Sequence, residues 1–406
     1  MILTYSYRLL PSKRQHRALE TLLEAQRQLY NAALEERLGA YRHGVIRTYF
    51  DQTKALTEWR REDKDASAIP ANLQRATLKR LDEAYNGFFC RLRQGKRAGL
   101  PRFRGKGWWK SFGFRRFSGI VLTDARLTFK GMPGTLRVHF HRPLPNQAQI
   151  RSCTFCRDTK GWKVGFAVEV EKADPRAGIR SIGVDVGITN FATLSNGLII
   201  PSIKAARRAE RRLRIAQRSL SRKQRGSNNR RKSQLEFSRR HAAVARRRLN
   251  HLHTSSALLV RNYDLIAVER LNLSGLLRGR LARDVHDASW GRFISFLRYK
   301  AEKAGVSLIE VNAKNSSQDC SGCGIRVPKD LGERRHDCPH CGISIDRDLN
   351  AAINVLARAG VRPGLRNVAG CGMRAGGNLG SPMNCEPIHR ASRDTTHPVE
   401  ASDQSR

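Results

Sequence analysis

Hydrophobic positions change their period along the chain, and the changes mark the elements. From Ser12 the apolar residues recur at helical spacing. Leu19, Leu22, Leu23, Leu29, Ala33 and Leu34 share one face, and Ser12 with Gln15 forms a capping box. A second helix is predicted over 72–94, with Leu73, Thr77, Leu81, Ala84, Tyr85, Phe88 and Leu92 inward and Gly95 as its stop. Over 120–170 the period falls to two in LTFKG, LRVHF and WKVGFAVEV, which predicts a small antiparallel β domain. From Arg180 strands and helices alternate. In SIGVDVG, Ile182, Val184 and Val186 fall on one face and Gly183, Asp185 and Gly187 on the other. The run Leu265, Ile266, Ala267, Val268 reads as a strand buried on both faces, with Glu269 at its carboxyl end.

Two long helices are predicted over 205–220 and 231–260, joined by the turn Gly226, Ser227, Asn228, Asn229. In the second, Ala242, Ala245, Leu249, Leu252, Ser256 and Leu259 keep a 3,4 spacing that suits packing on its partner. In DRDLNAAINVL, Leu349, Ala352, Ile353 and Leu356 define the buried face of a last helix starting near 347. Periodicity then stops, and Gly, Pro, Ser and Asn accumulate, so 361–406 is expected to be a disordered tail.

Charge adds what periodicity does not show. The 406 residues carry 76 Lys+Arg against 35 Asp+Glu, a net charge of +41. Self-repulsion on that scale opposes compaction unless a polyanion neutralises it, so a nucleic acid is the expected partner. The excess is concentrated. Residues 201–250 hold 18 Lys/Arg and two acids, and 91–116 hold no acid at all. Blocks without acids have no helical ion pairs with which to neutralise themselves. Arg102, Arg104 and Lys106 in the first block, with Arg218, Arg222, Lys223, Arg230 and Lys232 in the second, are the candidate nucleic-acid contacts. In 102–117 the cations alternate with Phe103, Trp108, Trp109, Phe112, Phe114 and Phe117, a pattern that serves base stacking or a β core equally well. No apolar stretch approaches the ~20 residues of a spanning helix, and MILTYSYRLLPSKRQ lacks the order of a secretory signal. A reducing, cytoplasmic location without membrane contact is expected, which favours metal ligation over disulfides for the nine cysteines.

Three acids are candidates for chemistry. Asp185 is flanked on its own face by glycines, which would leave room for a metal or phosphodiester. Glu269 ends a buried strand, where open α/β sheets place their ligands. Asp346 is placed to cap the last helix, leaving Asp348 in its first turn as the third acid. Together such carboxylates suit Mg²⁺, and two ions would serve in-line phosphodiester displacement. Cys320-x-x-Cys323 and Cys338-x-x-Cys341, fourteen residues apart and each followed by glycine, give four thiolates for a closed structural Zn²⁺ site. Cys153 and Cys156 share the CxxC spacing but lie in a predicted strand, where i and i+3 face opposite ways. No GxxxxGK[ST] motif occurs, so P-loop chemistry is not supported.

GVDVGITNFATLSNG, AQRSLSRKQRGSNNR, LIAVERLNLSGL, DASWGRFISFLRYKAEKAG, NSSQDCSGCG, CPHCG and DRDLNAAINV, in this order, closely resemble TnpB, the insertion-sequence OrfB family related to type V CRISPR effector nucleases. The resemblance spans roughly 1–360 and is strongest after Gly183. It implies a multidomain α/β protein with a RuvC-type, RNase H-like nuclease domain whose acids correspond to Asp185, Glu269 and Asp348. The organisation expected is the first wedge strand at 1–10, a helical recognition region at 11–110 and a β-rich wedge at 111–176. The nuclease domain follows at 177–314, with a basic helical hairpin at 204–260, an inserted zinc ribbon at 315–343 and a last helix at 344–360. The implied partners are a guide RNA made from the transposon end and double-stranded target DNA, in a bacterial or archaeal, nucleoid-associated setting. The implied activity is Mg²⁺-dependent, RNA-guided DNA cleavage. A transposase using the same acids for strand transfer and a non-cleaving regulator are the alternatives.

Overall fold

The computed structural model describes residues 1–361 apart from 146–148, 179, 280, 313 and 331. The expected tail, beyond Val361, lies outside the described residues.

The chain opens with β1 (Ile2–Leu10), whose alternate residues Tyr5, Tyr7 and Leu9 are buried. Helix α1 (Lys13–Arg42) starts at the capping box: Gln15 N donates to Ser12 Oγ, and Ser12 N donates to Gln15 Oε1. Helices α2 (Tyr49–Glu62), α3 (Lys64–Ala68) and α4 (Ala71–Arg93) follow. Leu73, Thr77 and Leu81 of α4 are buried, but its last turns run off the core. Phe88 is only half-buried and Leu92 is exposed, contrary to the inward face expected there. Strands β2 (Ser111–Phe114), β3 (Ile120–Thr123), β4 (Arg126–Phe129), β5 (Leu136–His139), β6 (Ile150–Asp158) and β7 (Gly161–Glu169) complete an antiparallel sheet of order β2-β6-β7-β1-β5-β4-β3. The amino-terminal strand thus sits at the middle, paired with β7 on one side and β5 on the other. Helices and sheet share one core, in which Leu19, Leu34 and Leu73 belong with Phe155, Trp162 and Phe166. Burial of these large apolar side chains drives the packing, at about 25 cal/mol per Å².

The carboxyl-terminal half contains β8 (Ser181–Val186), β9 (Asn190–Leu194), β10 (Ile199–Pro201), α5 (Ala205–Ser221), α6 (Asn228–Asn262), β11 (Leu265–Arg270), α7 (Leu273–Leu276), α8 (Ala282–Ala288), α9 (Trp290–Ala304), β12 (Ser307–Asn312), β13 (Arg335–Asp337), β14 (Ser344–Asp346) and α10 (Arg347–Arg358). Its sheet runs β10-β9-β8-β11-β12, with β8, β11 and β12 parallel and β9 and β10 antiparallel. One face packs Ile182, Val184, Ile266 and Val268 against Leu252 and Leu259 of α6 and Phe293 and Leu297 of α9. On the other face Ala267 and Val311 meet Val355 and Leu356 of α10. Helix cover on both faces explains why β11 is apolar without alternation.

The hairpin forms as expected, with Ser227 capping α6 through Arg230 N. Its buried positions differ from the predicted seam. Leu252, Ser256 and Leu259 are buried, joined by Val244, Ser255 and Val260, while Ala245 is exposed and Ala242 and Leu249 are half-buried. Only the carboxyl-terminal half of α6 lies on the sheet, so the 3,4 spacing of its earlier half faces a groove instead.

Candidate functional site

Parallel pairing sets the first two acids side by side. Val184 is in register with Val268, so Asp185 and Glu269 are the next positions on adjacent strands at the carboxyl end of the sheet. Helix α10 supplies the third. Gly183 lies directly under it: a Cβ on Gly183 would overlap the Ala352 carbonyl oxygen and come within 2.9 Å of Leu356 Cβ. From Ala352 back to Asp348 is about 6 Å of helix, and from Gly183 forward to Asp185 is about 6.6 Å of strand. With the helix running against the strand, Asp348 arrives over Asp185. The glycine expected to open the acid to a ligand therefore serves another purpose, the close approach of α10, and Gly187 likewise abuts backbone, its Cβ position being 3.0 Å from Asn190 O.

Electrostatics report the convergence. Burial, then the carboxylates of Glu269 and Asp348, push the Asp185 carboxyl well above the usual carboxylate range. Burial also raises Glu269, opposed by its hydrogen bond from Ser316, and raises Asp348, with Asp346 adding to it. Buried carboxylates gathered in this way call for a cation. Asp346 is the cap: its Oδ1 accepts from Asp348 N at 2.9 Å and Leu349 N at 3.1 Å. Among the described residues, only the four thiols bring three or more candidate ligand atoms within 4.8 Å of one another.

Residues that sequence reasoning missed tie this site together. Ser316 Oγ donates to Glu269 Oε1. Asn354 Nδ2 donates to Ser316 O at 2.8 Å and Asp319 O at 2.6 Å, and Asn350 Nδ2 donates to Asp319 O at 2.8 Å. Ser321 N donates to Asn350 Oδ1 at 2.9 Å. The available signal was two asparagines at i and i+4 beside the apolar stripe of α10; both are buried. Each buried amide finds backbone partners, as buried polar groups must.

Cys320, Cys323, Cys338 and Cys341 come together. The Sγ atoms of Cys320 and Cys341 are 3.6 Å apart, as are those of Cys323 and Cys338. A tetrahedron with ~2.3 Å metal–sulfur bonds has edges of ~3.8 Å, so the cage fits a four-coordinate ion. Each knuckle turns at its glycine, Gly324 (φ +79°) and Gly342 (φ +74°), where a side chain would be strained. Cys153 is buried and Cys156 exposed on opposite faces of β6, so this CxxC makes no site.

The aromatic segment divides. Trp109, Phe112 and Phe114 are core, whereas Phe103 and Trp108 are exposed. Arg102, Lys106, Arg218, Arg222, Lys223 and Lys232 are exposed, and none makes an ion pair among the described residues. The Arg104 guanidinium lies 5.8 Å from the Tyr30 ring centroid. Arg230 is half-buried, and its Nη1 donates to Leu220 O at 3.0 Å and Lys223 O at 2.8 Å, bonds that close the hairpin turn. A groove of about 980 Å³ runs between α1, the 106–110 loop, the β6–β7 turn and α6. Its acids Glu20 and Glu24 are engaged by Arg157 and Arg27 at 2.6 Å each, and Asp158 by Lys163. Lys106, Lys110, Lys160, Arg231 and Arg246 also line it, and none of them forms an ion pair among the described residues.

A mixed sheet with acids at its carboxyl end, beside a four-thiol module and a basic groove, defines a multidomain α/β protein of nuclease architecture. Known proteins agree. Residues 165–280 match the OrfB_IS605 family model, described as "Probable transposase"; residues 290–355 match "Cas12f1-like, TNB domain", and 1–44 match the family's "Helix-turn-helix domain". In this chain 1–44 form β1 and α1, so the matched segment holds one long helix. A Streptomyces pristinaespiralis protein bearing the name of an RNA-guided DNA endonuclease is 34% identical over 366 residues, covering 87% of this chain and 88% of its own. InsQ of Escherichia coli K12, named likewise, is 26% identical over 404 residues, covering 94% and 96%. The solved Cas12f1–sgRNA–target DNA complex shares the fold, with a TM-score of 0.55 at 13% identity over 85% of this chain and 83% of that one. The chain belongs to the insertion-sequence OrfB family, the TnpB proteins.

Proposed function

We propose that the chain is an RNA-guided DNA endonuclease that hydrolyses phosphodiester bonds of target DNA at a RuvC-type, RNase H-like site. The observation that carries this is the meeting of Asp185, Glu269 and Asp348, from two parallel strands and the helix packed over them, in a family whose relatives bear that name. The three carboxylates would hold Mg²⁺, which when bound supplies an activated water and neutralises the leaving oxygen. The chain's own part is positional. Strand register fixes Asp185 beside Glu269, the close approach at Gly183 sets Asp348, and Asp346 holds the first turn that carries it. The four-cysteine module fits a structural zinc ribbon, since four thiolates leave no position for water.

In this reading 1–10 with 111–176 form the wedge, 11–110 the recognition region, 177–314 with 344–360 the nuclease domain and 315–343 the ribbon. Lys106, Arg231 and Arg246 in the groove, with Arg218, Arg222 and Lys223 on the hairpin, would line the path of a guide RNA from the transposon end and its DNA target. Such a path reads backbone and A-form shape, leaving sequence to the guide. The test is plasmid cleavage by the protein purified with its flanking transposon RNA. Matched targets are cut and mismatched ones spared, while Asp185→Ala, Glu269→Ala and Asp348→Ala each lose cleavage but keep target binding. Cleavage at the wild-type rate by Asp185→Ala would sink the proposal.

A further inference from the structure

We infer that Ser316 is a positioning residue for the nuclease site, holding Glu269 in the orientation in which it serves the cation. The inference rests on the reading of Glu269 as a metal-binding acid. Glu269 and Ser316 are both buried, and the Ser316 hydroxyl donates to Glu269 Oε1. Oε2 makes no hydrogen bond among the described residues. Oε2 is not among the buried polar atoms sealed away without a partner, so the serine fixes one oxygen and leaves the other open to the ion.

The serine is itself held. It lies in the turn after β12, where Asn315 adopts a left-handed conformation (φ +61°). Three side chains on one face of α10 grip that turn. Asn350 bonds Asp319 O, Asn354 bonds Ser316 O, and Arg358 Nη1 reaches Asn312 O at 2.7 Å and Lys314 O at 2.9 Å. Arg358 Nη2 also meets the Asp319 carboxylate at 2.8 Å. The helix that brings Asp348 therefore also sets Glu269, through a turn that leads directly into the first cysteine pair. Partners that orient metal ligands change affinity or activity by about 10- to 100-fold when removed.

The experiment compares wild type, Ser316→Ala, Ser316→Thr and Asp185→Ala, each loaded with guide RNA. Single-turnover cleavage is measured across Mg²⁺ concentrations, Mn²⁺ affinity by calorimetry, and target binding and melting temperature alongside. Ser316→Ala is expected to cleave about 10-fold more slowly, to need severalfold more Mg²⁺ and to bind Mn²⁺ correspondingly more weakly, with target binding and melting temperature unchanged. Ser316→Thr, which keeps the hydroxyl, restores most of the rate. Wild-type Mg²⁺ dependence and Mn²⁺ affinity in Ser316→Ala overturn the inference, as does a loss of melting temperature and target binding that accounts for the whole defect. If Asp185→Ala cleaves like wild type, the nuclease assignment fails instead, and the Mn²⁺ titration still decides the role of Ser316.

Discussion

Asp346 and Asp348 stand two residues apart and do different work. The Asp346 carboxylate is spent on two backbone N–H groups at the start of α10, whereas Asp348 is half-buried and shares the field of Asp185. Removing a capping acid costs a helix about 1 kcal/mol. Asp346→Ala is therefore expected to lower stability in a urea titration by about that amount while retaining guided cleavage. Asp348→Ala should abolish cleavage with little change in stability, because no backbone group depends on it. Equal loss of cleavage in both variants with equal stability would reverse the assignment. At Gly183, by contrast, the glycine pattern has a different cause from the one it suggests. Two glycines flanking an acid look like room for a ligand, but the space at Gly183 is filled by the backbone of α10.

At the scale of elements, α10 does more than its apolar stripe announces. One face packs Val355 and Leu356 on the sheet, its first turn carries Asp348, and Asn350, Asn354 and Arg358 hold the segment that leads into the four-cysteine module. The module is too short and polar to bury a core of its own, so the ion would provide its folding energy. Replacing Cys320 and Cys338 by serine is expected to remove zinc, measured by elemental analysis, and to reduce guided cleavage at least tenfold although Asp185, Glu269 and Asp348 are all intact. The reason is that the Ser316 turn is continuous with the first knuckle. Full cleavage by a zinc-free variant would contradict the coupling. The hairpin shows the reverse relation between pattern and structure. Its 3,4 spacing is continuous along α6, yet only Leu252, Leu259 and Val260 of this helix join the core formed with the sheet.

For the whole molecule, the net charge of +41 is the dominant fact. The groove beside α6 gathers cations from segments far apart in sequence, Lys106, Lys160 and Arg246 among them, and its carboxylates are already paired. Repulsion among those cations is relieved when a polyanion binds. Guide RNA at a hundredfold excess over its Kd should stabilise the folded protein by about 2.7 kcal/mol, seen as a higher melting temperature. The shift should shrink steeply as salt rises, because binding releases counterions. No shift with matched guide RNA, or one indifferent to salt, would contradict a charge-lined path. No helix among the described residues is long and apolar enough to cross a membrane.

What the sequence determined by itself was local. The capping box at Ser12, the cap at Asp346, the knuckle glycines after each cysteine pair and the turn before Ser227 all depend on residues within a few positions of one another, so spacing alone reveals them. The alternation around Asp185 and the buried run before Glu269 were legible for the same reason. Tertiary structure decided the rest. Only strand pairing sets Asp185 beside Glu269, inserts β1 between β5 and β7, and turns Trp109, Phe112 and Phe114 inward while leaving Phe103 and Trp108 outside. Only the packing of α10 converts Gly183 into a contact and Ser316 into a neighbour of Glu269, 47 residues away. Periodicity records which face of an element is apolar. Which other element meets that face depends on burial and hydrogen bonding between distant segments, and these exist only once the chain has folded.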